Sequence, residues 1–131
     1  MAKTKSTFES LEVWIRSREM RNKISKLSKG LPPEEKYKLI DQMIRASRSV
    51  TANIAEGYGR YHYQENIQFN RQARGSLYEL IDHIYVALDE NYIDQEIFNN
   101  LKLEILAIIK LLNGYIKYLS ARKREKDISS N

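Results

Sequence analysis

The sequence has 131 residues and a mass of 15.4 kDa, which fits one domain with a single hydrophobic core. Hydrophobic residues make up 42% and charged residues 30%, which excludes a disordered chain, and the lack of Cys excludes disulfides, thiolate metal sites and a Cys nucleophile. The net charge is +5, and neither a signal peptide nor a run of ~20 apolar residues is apparent, so we expect a cytoplasmic protein with no membrane partner.

Apolar residues recur at helical spacing through most of the chain, which predicts an all-α fold. Residues 1–7 are expected to form a disordered arm before a first helix at about 8–29, which Gly30 ends. A second helix is predicted at 33–56, because Pro33 followed by two acidic residues is typical of a first helical turn.

The second helix is predicted to end where Gly57 and Gly59 permit the positive φ of a C-terminal cap and turn. A third helix follows at 63–90, and Asp94 is placed to cap a fourth at 94–122. The inward residues predicted from the spacing are Val13, Ser17, Met20, Ile24 and Leu27; Ile40, Met43, Ser47, Val50 and Ile54; Phe69, Ala73, Leu77, Leu80, Ile81, Ile84 and Leu88; and Ile97, Leu101, Ile105, Ile108, Leu112, Ile116 and Leu119. Residues 123–131 lack an apolar period and are expected to fray as a polar tail.

Four helices with short connections favour an antiparallel up-down-up-down bundle, residues 8–122. Apolar residues outside its core seams suggest self-association, although scattered exposed apolar residues are also common in monomers. The candidate interface residues of a homo-oligomer are Leu11, Trp14, Ile15, Leu103, Leu111 and Tyr118.

No catalytic or metal-binding pattern is apparent, so we expect no enzyme activity, no metal and no cofactor. The two histidines, His62 and His83, lack the spacing of a metal motif, and a Glu79–His83 pair is typical of an ordinary helix contact. The glycines near residue 58 follow a helix rather than a strand and lack a P-loop pattern.

Charge is unevenly distributed along the chain. Residues 1–60 hold 13 basic and 7 acidic residues, residues 61–100 hold 2 and 7, and residues 101–131 hold 7 and 3. A basic surplus can attract phosphate backbones, but segments of opposite charge can also neutralise one another across helix contacts or between subunits.

Arginine and tyrosine are concentrated around the turn between the second and third helices. Guanidinium groups and flat rings are what single-stranded nucleic acid requires, and the same residue types anchor protein interfaces. Arg45 could instead form a structural ion pair with Glu79. The candidate nucleic-acid-binding residues are Arg45, Arg48, Arg60, Arg71, Arg74, Tyr58 and Tyr61.

The segment Asn53-Ile54-Ala55-Glu56-Gly57, followed by Gly59 and Arg60, closely resembles a motif of the bacterial 23S rRNA-intervening sequence protein family, which is distantly related to the accessory variability protein of diversity-generating retroelements. The likeness covers roughly residues 8–119, and its most specific segment is Asn53-Ile54-Ala55-Glu56-Gly57. The residues at further motif positions are Arg45, Ser49, Gly59, Arg60, Gly75, Ser76 and Glu79.

The resemblance implies a four-helix bundle that forms a ring-like homopentamer without enzymatic activity. It also implies RNA or other nucleic acid, or a protein such as a reverse transcriptase, as possible partners. Gly75 and Ser76 in mid-helix suggest close approach of a neighbouring helix, because Gly there costs about 1 kcal/mol relative to Ala. Asn53 and Glu56 are expected to hold the end of the second helix.

Overall fold

The computed structural model describes residues 7–129, and within them it contains four α-helices and no strand. Residues 1–6 of the predicted arm and residues 130 and 131 of the predicted tail lie outside the described part. The helices are α1 (Glu12–Ser28), α2 (Leu39–Tyr58), α3 (Tyr63–Asp89) and α4 (Gln95–Ser129), with short 3₁₀ turns at Phe8–Ser10 and Pro33–Glu35.

The helices pack in the cyclic order in which they occur in the chain: α1 contacts α2 and α4, and α3 contacts α2 and α4. Ser49 of α2 meets Ser76 of α3, while Gly57, farther along α2, approaches Phe69, earlier in α3. Residue numbers thus rise along α2 as they fall along α3, which fits an antiparallel helical bundle.

Most of the predicted inward residues are buried, including the central α3 residue Leu77 and Ile105 of α4. Ile97 is a wrong prediction, because its side chain is exposed at the start of α4 while Phe98 and Leu101 occupy the core-facing positions. The helical spacing therefore identifies the packed face of each helix, but it does not identify which side chains of a terminal turn are buried.

The second helix begins later than predicted. Pro33–Glu35 forms a 3₁₀ turn, and the non-helical backbone of Lys38 (φ −121°, ψ −105°) separates it from α2. Leu31 and Leu39 are both buried on either side of this turn. The break at Lys38 thus lies between two leucines that both pack into the core.

The predicted positive φ at Gly57 and Gly59 is wrong, since no glycine among residues 7–129 has one. Gly57 is helical, and α2 ends at Tyr58 with Gly59 still in the right-handed helical region. A β-carbon added to Gly57 would lie 2.7 Å from Asn66 Oδ1 and 2.9 Å from Phe69 Cβ. Gly57 is therefore required by close approach of α3 rather than by turn geometry.

Gly75 contradicts the expectation of a close helix contact, because a β-carbon there would have no atom within 4 Å among the described residues. Its position on α3 is exposed. Close packing within this chain does not explain the glycine.

The α3–α4 connection uses a left-handed residue and a side-chain cap. Asn91 has φ 63°, and the Tyr92 amide donates to the Ala87 carbonyl at 2.8 Å, which closes the last turn of α3. As predicted, Asp94 caps α4, since its Oδ1 accepts from the Ile97 amide at 2.8 Å.

Helix α4 continues to Ser129, which corrects the predicted end at Arg122 and the predicted frayed tail over the described residues 123–129. Glu125 pairs with Arg122 one turn away at 3.3 Å, and the Lys126 ammonium lies 5.2 Å from the centre of the Tyr61 ring. These local and long-range contacts extend the helix beyond its apolar seam.

In the described part, no helix combines the length and apolar character of a bilayer span.

Candidate nucleic-acid interface

Five tyrosines meet at the end of the bundle where α2 and α3 join. They are Tyr58 at the end of α2, Tyr61 in the turn, Tyr63 at the start of α3, and Tyr115 and Tyr118 on α4. We call these five residues the tyrosine cluster. They line a cavity of about 260 Å³ together with Arg60, His62, Asn66 and Leu119.

The rings of the cluster differ in accessibility. Tyr61 is 85% exposed, and its ring meets His62 edge-on at 5.0 Å between centroids. Tyr115 and Tyr118 lie nearly parallel, with centroids 6.4 Å apart. Burial raises the pKa of the Tyr115 hydroxyl above that of a free tyrosine, while the Asn66 amide, which donates to it at 3.5 Å, acts in the opposite direction. Tyr61 is therefore the ring best placed to stack on a ligand.

Most cationic side chains at this end of the bundle are paired with acidic side chains. Arg60 donates to Glu56 at 2.9 Å and lies 3.6 Å from Glu65. Arg122 pairs with Glu125, and its hydrogen bond to Tyr63 raises the pKa of its guanidinium. The cluster consequently offers aromatic surface more than net positive charge.

The most specific segment of the family motif builds the contact between α2 and α3. The Asn53 amide donates to the Ser49 carbonyl at 2.9 Å and to its hydroxyl at 3.0 Å, and that hydroxyl lies 2.8 Å from the Ser76 hydroxyl. Gly57 completes the contact by allowing α3 to approach. These motif residues have structural partners within the chain, as does Glu56, which pairs across the end of α2.

The predicted Arg45–Glu79 ion pair is absent from the structure. Arg45 is exposed and lies 3.9 Å from Asp41 on its own helix, while Glu79 pairs with His83 at 3.1 Å. Each group meets a partner four residues away along its own helix, a pairing that requires no long-range register.

The structure divides the predicted nucleic-acid-binding residues among separate surfaces. Only Tyr58, Arg60 and Tyr61 lie in the tyrosine cluster cavity. Arg48 lines a groove between α1 and α2, and Arg74 donates to Asn113 of α4 at 2.9 Å. Arg71 lies on the exposed face of α3 and Arg45 on that of α2.

The candidate interface residues also divide into two groups. Leu11, Trp14 and Leu111 are partly buried against the core of their own chain, which accounts for them without a partner. Ile15, Leu103 and Tyr118 remain exposed, Leu103 by 66%.

The sequence analysis missed the contribution of α4 to the tyrosine cluster, because Tyr115 and Tyr118 lie more than 50 residues from Tyr63 in the chain. The spacing of Tyr115, Tyr118 and Arg122 along one side of α4 was the available signal. It also missed Arg21 of α1, which donates to Thr51 of α2, and Arg18, which lies over the Trp14 ring of its own helix. In residues 7–129, no group of three or more His, Cys, Asp or Glu side chains could hold a metal ion.

Comparison with known proteins finds a matching family and a similar solved structure. A family model described as 23S rRNA-intervening sequence protein matches residues 9–114. A crystal structure of a protein of unknown function, from the S23 ribosomal protein family of Bacteroides thetaiotaomicron, is 26% identical to the chain. The two share a TM-score of 0.75, and the alignment covers 80% of this chain and 95% of that one. No curated protein matches the chain.

Proposed function

Because the chain belongs to the 23S rRNA-intervening sequence protein family, we propose that it is a non-enzymatic homo-oligomer that binds RNA or other nucleic acid. The tyrosine cluster supplies the surface on which bases stack. Ring assembly, as a pentamer, multiplies the contacts that each copy makes.

The convergence of five tyrosines at one end of the bundle carries the proposal. Aromatic side chains stack on bases of any sequence, and Tyr61 exposes its ring in a turn beside Arg60 and His62. The Lys126 ammonium lies over that ring, 5.2 Å from its centre, and adds a cation next to the aromatic surface. An overall charge of +5 favours a polyanionic ligand.

We expect Tyr61→Ala to weaken binding of a fluorescein-labelled single-stranded RNA of about 20 nucleotides by roughly tenfold, because it removes a stacking platform. Fluorescence anisotropy of nuclease-treated protein at about 50 mM salt measures the affinity. Tyr78→Ala is the matched control: Tyr78 is 54% exposed on α3 and lies outside the cluster.

The proposal is wrong if the unsubstituted protein shows no salt-dependent binding. It is also wrong in its choice of surface if Tyr78→Ala and Tyr61→Ala weaken binding equally.

Self-association is supported by apolar side chains left exposed on α4. We expect light scattering at micromolar concentration to give a multiple of 15.4 kDa, five copies for the implied ring.

Leu103→Lys combined with Leu106→Lys should yield the single-chain mass with helical circular dichroism retained, because charge would be placed on this exposed surface. Ile128→Lys, at a 74% exposed position on the same helix, is the control that should keep the assembly. A 15 kDa mass for the unsubstituted protein would contradict the proposal.

A second candidate function is a protein-interaction scaffold or accessory subunit, for example for a reverse transcriptase, with no direct nucleic-acid contact. The pairing of Arg60 with both Glu56 and Glu65 favours it, because a neutralised guanidinium attracts phosphate weakly. A pull-down that returns one stoichiometric protein, with a 260/280 nm absorbance ratio free of nucleic acid, would favour this function over the first.

A further inference from the structure

A continuous groove begins between the Phe8–Ser10 turn and α1 and then runs between α1 and α2. It consists of three adjoining cavities of about 500, 360 and 320 Å³. Arg21 lines both the first and the second, and Ser25 and Ile44 line both the second and the third. The shared residues make the three cavities one surface feature, which we call the α1–α2 groove.

The groove is basic. Its charged lining residues are Arg18, Arg21, Lys29, Lys36, Arg48 and the single acid Glu9. In the described part of the chain, none of the five cations lies within 4 Å of a carboxylate. This contrasts with Arg60 and Arg122 of the tyrosine cluster, which both have acidic partners. The positive charge of the groove is thus available to an external anion.

A neutral hydroxyl positions the cation in the middle of the groove. The half-buried Arg21 guanidinium donates to the Thr51 hydroxyl at 3.1 Å, and this hydroxyl donates to the Arg48 carbonyl at 3.1 Å. The side chains of Asn22 and Ser25 line the same cavity. A guanidinium positioned by a neutral hydroxyl keeps its charge, and its remaining N–H groups can bind phosphate oxygens.

The dimensions of the groove indicate an extended polyanion. Arg18 lies on α1 and Lys29 directly follows its last residue, and their separation of eleven residues corresponds to about 16 Å along the helix axis. This is too long for a single phosphate group, and it fits successive phosphates of one strand.

The groove also opens towards the tyrosine cluster. Because α1 and α2 run antiparallel and Arg21 contacts Thr51, Trp14 lies two turns from this contact in the same direction as Tyr58. Trp14 lines the end of the groove, and Tyr58 lines the cavity of the cluster. A strand leaving the groove would therefore reach the aromatic surface at the same end of the bundle.

We propose that the α1–α2 groove binds the phosphate backbone of single-stranded nucleic acid whose bases stack on the tyrosine cluster. This inference rests on the proposed function, because both require nucleic-acid binding. It assigns the phosphate contacts to α1 and α2 and the base contacts to the cluster.

The test compares salt dependence in two variants with the same loss of charge. Arg18→Gln combined with Arg48→Gln removes two exposed cations of the groove and leaves the Arg21–Thr51 bond intact. We expect the slope of log affinity against log salt for single-stranded RNA to fall by about 1.4, since each lost phosphate contact contributes ~0.7. Lys110→Gln combined with Lys117→Gln, at exposed positions on α4, should leave the slope unchanged.

The outcomes separate this inference from the proposed function. If Tyr61→Ala weakens binding but the groove variant keeps the original slope, the groove assignment is wrong and the proposed function stands. Equal slopes in the groove and α4 variants would also overturn it, because total charge would then explain the effect. A changed assembly mass with an unchanged slope would make the groove a contact between copies. No binding by the unsubstituted protein would overturn both proposals.

Discussion

Leu77→Ala should destabilise the protein by about 3 kcal/mol, because it leaves a cavity at the centre of the bundle. The Leu77 side chain is fully buried on the packed face of α3. Removing it forfeits transfer free energy and van der Waals contacts that a close-packed interior does not recover by relaxing. Urea unfolding measures the change as a lower midpoint with an unchanged slope.

Ile128→Ala is the matched control, since it also truncates a four-carbon aliphatic side chain, at a 74% exposed position outside the surface assigned to self-association. We expect it to alter the unfolding free energy of the single chain by less than about 0.5 kcal/mol. Both measurements need the same protein concentration, because self-association couples to stability. Equal losses in the two variants would contradict the assignment of the packed and exposed faces.

The packed faces were predictable because helical spacing is a local property. Val13, Met20 and Ile24 repeat at the interval that brings side chains to one side of a helix, and all three are buried. The start of α2 was not predictable in this way. Pro33 followed by two acids has the local character of a helix start, but the chain forms only a 3₁₀ turn there, and the non-helical backbone of Lys38 delays α2 to Leu39.

The candidate site was only partly predictable, because its residues come from distant parts of the chain. The turn tyrosines Tyr58 and Tyr61 are neighbours in sequence, whereas Tyr115 joins them only through the crossing of α4. Arg45 shows the same limit. The antiparallel register placed it near Glu79, but Asp41 lies one turn away on its own helix.

Gly57→Ala should destabilise the protein by about 2 kcal/mol, although alanine is the better helix former. The added β-carbon would lie 2.7 Å from Asn66 Oδ1, 2.9 Å from Phe69 Cβ and 3.1 Å from the Asn66 carbonyl oxygen. Two of these atoms belong to or adjoin the α3 backbone, so relief requires α3 to move away from α2. Such a movement would also lengthen the contact between Ser49 and Ser76.

Gly75→Ala makes the same substitution in the next helix, but it should stabilise the protein. Its β-carbon meets no atom of the described chain within 4 Å, so the gain in helix propensity of about 1 kcal/mol is unopposed in the single chain. Urea unfolding of the two variants at one protein concentration shows whether each substitution raises or lowers the free energy of unfolding. If both substitutions stabilise the protein, α3 does not approach α2 at Gly57 as closely as the structure indicates. If both destabilise it, a surface outside the single chain packs on Gly75, and self-association would bring the outer face of α3 into contact with a second copy.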